Sequence, residues 1–94
     1  MNKKRGRLEI IQDVLLAIRD KVGVVKQTHI LYKSNLSHQM LTEYLNYLID
    51  KGLIEEKVDK KSKKHFILTQ KGLHFLQDFE KIKGLVESYG LEEF

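Results

Sequence analysis

Gly52-Leu53-Ile54-Glu55-Glu56-Lys57-Val58, then Asp59-Lys60-Lys61-Ser62-Lys63-Lys64, then His65-Phe66-Ile67-Leu68-Thr69 is the most informative passage of the chain. Its two outer runs carry the β-branched and aromatic residues that favour extended backbone, and a polar, flexible linker separates them. That pattern predicts a β-hairpin with a lysine-loaded loop. Glu55 and Glu56 fall on opposite faces of the first strand, so they do not make a catalytic pair.

The flanks give the hairpin its meaning. Upstream, Ser37 is a good N-cap for a helix reaching about Lys51, with Leu41, Leu45, Leu48 and Ile49 on its buried face, Tyr44 beside them and Gly52 as the stop. A shorter helix is expected over about Thr28 to Lys33, with Thr28 as a possible cap, and Ser34-Asn35-Leu36 interrupts it. Two helices separated by so short a turn form a helix-turn-helix. A hairpin placed directly after one is the wing of a winged helix.

Further out, Leu8, Ile11, Leu15, Ile18 and Val22 are spaced 3, 4, 3 and 4, one face of an amphipathic helix. Ile10, Val14 and Ala17 widen that stripe, Gly23 sits where the helix would end, and Val24-Val25 can form a very short extended segment. Thr69 caps a last helix along which Phe75, Phe79, Ile82, Val86 and Tyr89 are spaced 4, 3, 4 and 3, an a/d seam of about two heptads. Leu73 and Leu76 can face back to the globular body. Gly84 either weakens this helix, by roughly 0.8–1 kcal/mol relative to alanine, or marks its end. The expected fold is therefore mainly α with a small β-hairpin: a basic arm over residues 1–6, a winged helix over 7–72, and a C-terminal helix and tail over 73–94.

The chain has 94 residues and no cysteine, which excludes disulfides, thiolate zinc sites and thiol catalysis. Met1 to Arg7 is basic, but Glu9, Gln12 and Asp13 break the apolar run that follows. That argues against a signal peptide and a membrane span, so a cytoplasmic, nucleoid-associated location is expected. Residues 73–94 hold two lysines against five acids, whereas residues 1–72 hold fifteen basic against eight acidic groups. A basic body with an acidic tail is the asymmetry of a polyanion binder, although many basic proteins touch no nucleic acid.

Asn35-Leu36-Ser37, Tyr44-Leu45, Leu48, Gly52-Leu53-Ile54, Phe66-Ile67-Leu68-Thr69, Lys71-Gly72 and Phe75-Leu76 together resemble the archaeal winged helix-turn-helix family. Its members are DNA-binding proteins and predicted transcriptional regulators. They include the Sulfolobus type that dimerises through an antiparallel coiled coil of the C-terminal helix. The resemblance covers about residues 7–80 and implies a double-stranded DNA partner, with the N-terminal half of the third helix entering the major groove. The C-terminal helix here is shorter than a long family coiled coil and contains Gly84.

In that mode Ser37 and His38 sit at a helix N-terminus that favours phosphate. Gln39 and Asn46 can read adenine edges, and Thr42 a thymine methyl or a phosphate. Glu43 and Asp50 oppose this, since acids on a presented face repel phosphate. Lys57, Lys60, Lys61, Lys63 and Lys64, against Asp59, would contact phosphates along the duplex. Lys3, Lys4, Arg5 and Arg7 either add phosphate or minor-groove contacts or form a non-contacting tail.

The seam of Phe75, Phe79, Ile82, Val86 and Tyr89 either completes a monomer's core or pairs with a second copy. Leu73 to Tyr89 extends about 26 Å, more than a small three-helix body covers, which favours a homodimer. His29, His38, His65 and His74 are dispersed without metal-ligand spacing, and no nucleotide-binding or catalytic motif is present. No enzyme activity, cofactor, metal or small-molecule ligand is expected. The expected activity is that of a homodimeric, DNA-binding transcriptional regulator or chromatin-associated protein. A winged helix serving as a protein–protein adaptor is the alternative, favoured by Glu43 and Asp50.

Overall fold

Side-chain caps begin two of the helices at the positions their sequence signals: Ser37 Oγ accepts from Met40 N–H at 3.1 Å and Thr69 Oγ1 accepts from Gly72 N–H at 3.0 Å. The computed structural model describes residues 5–91. In chain order these form α1 (Arg7–Arg19), α2 (Gln27–Ser34), α3 (His38–Asp50), β1 (Ile54–Val58), β2 (Lys64–Leu68) and α4 (Gln70–Ser88). The strands pair antiparallel, with Ile54 opposite Leu68 and Val58 opposite Lys64.

The core gathers one face of every element: Val14, Leu15 and Ile18 of α1, Ile30 of α2, Leu41, Leu45 and Leu48 of α3, Ile54 and Phe66 of the hairpin, and Leu76 of α4. Val25, though not in a strand, is buried, and its carbonyl accepts the Phe66 N–H at 2.9 Å, tethering the approach to α2 against β2. The extended segment expected at Val24-Val25 survives as this one bond.

Two local expectations are corrected, at the end of α1 and the start of α2, and the alternative left open at Gly84 is decided. α1 stops at Arg19, capped by Asp20, so the stripe does not reach Val22, which is 95 % exposed. Gly23 is left-handed (φ 92°) but shapes the loop beyond the helix. Thr28 lies inside α2, which begins after Lys26 without a side-chain cap. α4 runs through Gly84 to Ser88, so this glycine does not end it.

The junction between hairpin and α4 explains the Thr-x-Lys-Gly signature. Thr69 Oγ1 donates to Gly52 O at 2.7 Å while capping α4, and Lys71 Nζ donates to Lys51 O at 2.7 Å. Gly72 lets the first turn of α4 press on the backbone of Leu53, whose carbonyl oxygen occupies the space a Cβ would need. These contacts fix α3, the hairpin and α4 to one another. On the other side of α4, buried Gln12 of α1 bridges two groups: its Nε2 donates to Glu80 Oε2 at 3.2 Å and its Oε1 accepts from Lys83 Nζ at 3.3 Å.

Candidate nucleic-acid interface

With Leu41, Leu45 and Leu48 buried, α3 turns its opposite side to solvent. Ser37, His38, Gln39, Glu43, Asn46, Tyr47 and Asp50 are exposed there, as the helical period requires. Thr42 is only half-buried, and its hydroxyl is engaged within the fold: Oγ1 donates to His38 O at 2.9 Å and accepts from Gln27 Nε2 at 3.5 Å. Gln27, at the start of α2, thus joins the edge of this surface, which its place in the sequence did not signal. Glu43 and Asp50 stand exposed with no ion pair among the described residues.

The wing is more ordered than its composition suggests. Asp59 Oδ1 accepts the backbone N–H groups of Lys61 and Lys63 at 2.8 and 2.9 Å, and Asp59 O accepts from Ser62 N–H at 3.0 Å. Ser62 takes a left-handed conformation (φ 60°), closing a three-residue loop of the kind usually completed by glycine. A flexible loop is therefore the wrong description; Asp59 shapes the tip as well as balancing its charge. The strand lysines differ from those of the tip. Lys57 lies 3.4 Å from Glu55 and Lys64 lies 3.8 Å from Glu56, whereas Lys60, Lys61 and Lys63 have no ion pair among the described residues. Among the described residues, three of the hairpin's five lysines are without an ion pair.

The arm residues have partners inside the fold. Arg5 donates to Asp13 Oδ2 at 2.8 Å, to Ser34 O at 2.6 Å and to Asn35 O at 3.1 Å, so it closes the α2–α3 turn against α1. Arg7 is the first residue of α1, and its guanidinium carbon lies 4.5 Å from the centre of the Tyr47 ring and 5.8 Å from that of Tyr44. Lys3 and Lys4 lie outside the described residues.

Along α4, Phe79 is 2 % exposed within its own chain and stacks on Phe75 at 5.5 Å between ring centres. Phe79 is therefore buried within its own chain, and Lys83 Nζ lies 5.8 Å from its ring centre. Farther along, Ile82 is 46 % and Tyr89 77 % exposed, and among the described residues from Gly84 onward only Val86 is even half-buried. Leu85 and Leu91, absent from the heptad reading, are also exposed. No group of three metal-ligating side chains gathers among the described residues, and no described helix is long and apolar enough to cross a membrane.

A helix-turn-helix whose second helix is presented beside a cationic hairpin is the arrangement of DNA-binding winged helices. The chain belongs to the winged helix-turn-helix family, whose sequence profile matches residues 4–87. Two uncharacterised proteins of the archaeon Methanocaldococcus jannaschii are similar to it. One is 31% identical over 83 residues, 88% of this chain and 36% of that protein; the other is 35% identical over 69 residues, 73% and 64% respectively. The chain thus spans between about a third and two thirds of the length of these relatives. Among solved structures, Sso10a-2, a DNA-binding protein from Sulfolobus solfataricus, shares the fold with a TM-score of 0.73 at 24% identity over 92% of this chain and 90% of that one. MepR, a transcription regulator of the Staphylococcus aureus multidrug efflux pump MepA, matches with a TM-score of 0.73 at 21% identity over 85% of this chain and 60% of that one.

Proposed function

We propose that this protein binds double-stranded DNA as a homodimer and acts as a transcriptional regulator or chromatin-associated protein of the cytoplasm. The observation that carries this reading is the juxtaposition of an exposed α3, bearing Gln39 and Asn46, with a hairpin tip whose three lysines have no ion pair among the described residues. α3 enters the major groove by its N-terminal half, with Ser37 and His38 at the phosphate-favouring helix start. Lys60, Lys61 and Lys63 contact backbone phosphate, and Lys57 and Lys64 contribute less because each already faces a glutamate. Thr42 supports α3 more than it reads bases. No cofactor or small-molecule ligand enters this reading.

The dimer rests on the distal half of α4. Ile82, Leu85 and Tyr89 leave one end of a 19-residue helix apolar and exposed, and Val86 continues the strip. Pairing with the same strip of a second copy covers it, and the antiparallel geometry follows the resemblance to the Sulfolobus type. Two recognition helices set about 34 Å apart would then meet successive turns of one DNA face. Exposed Glu43 and Asp50 favour a second reading, in which the α3 face docks a protein.

The test is a titration against random and genomic duplex DNA at several salt concentrations, with mass measured in parallel. Salt-steep binding by a dimer, and conversion to monomer by Leu85→Asp, are the expected results. Absence of binding at low salt rejects the DNA reading and leaves the protein-docking one.

A further inference from the structure

Arg7 occupies an unusual place for a cation. It opens α1, where the positive end of the helix dipole disfavours it, and it has no ion pair among the described residues. What holds it is the face of Tyr47, 4.5 Å from the guanidinium carbon, with Tyr44 at 5.8 Å. A second cation approaches the same ring: Lys51 Nζ lies 5.5 Å from its centre. A third, Lys71 Nζ, donates to the Lys51 carbonyl at 2.7 Å. The negative end of the α3 dipole accounts for Lys51 and Lys71, but not for Arg7, which arrives from another helix. Stacking fixes the guanidinium while leaving the N–H groups at its edge free to donate to an anion.

From this geometry we propose that Arg7 and Lys51, set by the Tyr47 ring, form a second backbone-phosphate site for duplex DNA. The site deepens the DNA-binding reading and rests on it. Around α3 at 100° per residue, Tyr47 lies on one flank of the face that presents Gln39 and Asn46, and Thr42, bonded to Gln27, lies on the other. A helix in the major groove has a phosphate backbone on each side, and Arg7 with Lys51 meets the one on the Tyr47 flank. The charge of Arg7 also offsets Glu43, which lines the same hollow of about 220 Å³ as Arg7 and Tyr47. The acids on α3 are then compatible with a nearby polyanion.

The experiment compares wild type, Arg7→Gln/Lys51→Gln, Tyr47→Leu and Tyr47→Phe in titrations of a labelled mixed-sequence duplex across salt concentrations, with thermal unfolding as the control of folding. The double variant should flatten the logarithmic salt slope by about 1.8 per bound protomer and lower affinity at least about tenfold near 0.1 M salt, equally on different sequences. Tyr47→Leu keeps every charge and should still bind several-fold more weakly, whereas Tyr47→Phe keeps the ring and should bind like wild type. Lys51→Gln alone, at an exposed position, should give half the slope change and decides the matter if the double variant unfolds. Wild-type slope and affinity in the charge variants, or in Tyr47→Leu, overturn this site while leaving the DNA reading intact. Failure of wild type to bind any duplex at low salt overturns both.

Discussion

At the tip of the hairpin, Lys60, Lys61 and Lys63 carry three charges with no ion pair among the described residues, on a loop shaped by Asp59; along α3, Gln39 and Asn46 share the exposed face with Glu43 and Asp50. The first region is rich in charge and poor in directional chemistry. The second offers amide donors and acceptors but almost no net attraction for a polyanion. Charge without direction gives affinity that falls with salt, and directed amides give discrimination between bases. In this protein the two properties are placed on different elements, so they should be separable by substitution.

The largest expected effect comes from removing the charge of the tip. Lys60→Gln/Lys61→Gln/Lys63→Gln should flatten the logarithmic salt slope by about 2.7 per bound protomer and lower affinity by about two to three orders of magnitude per protomer near 0.1 M salt, with base preference intact. Titrations on several sequences check this. The same change at Lys57 and Lys64 should cost clearly less, because Glu55 and Glu56 already offset those charges. Equal loss per lysine at tip and strands would erase the distinction drawn between them.

A smaller and different effect is expected on α3. Asn46→Ala should leave the salt slope unchanged and weaken binding to the preferred site by about 1–3 kcal/mol while relaxing preference at one base pair. Selection of binding sites from a randomised pool measures this. A uniform loss across sequences would make Asn46 a backbone contact and merge the two regions into one.

Much of this architecture was legible because its signals are local. Ser37, Gly52 and Thr69 each mark an element boundary through their own backbone or hydroxyl chemistry, and the hairpin strands announce themselves by composition. What could not be read depends on distant partners. Val22 continues the 3–4 spacing of α1, yet nothing lies there to pack against, and the helix stops at Arg19. Phe79 fits the heptad seam, but only the folded chain decides that its ring is buried in its own protomer. Arg5 reaches the carbonyl of Ser34, 29 positions away, so a basic arm at that position became a brace of the helix-turn-helix. The pairing of Lys64 with Glu56 requires the strand register, and the shaping role of Asp59 requires the closed turn. Composition therefore marks the wing as cationic, whereas which of its lysines face a glutamate depends on the folded strands.

DNA binding through α3 and the wing is tested most directly by mapping the surface that duplex DNA touches, following backbone amide resonances as DNA is added. The largest changes are expected over residues 37–46 and 59–64, with little change at Ile82, Leu85 and Tyr89. Changes concentrated on α4, with residues 37–46 and 59–64 unaffected, would contradict it.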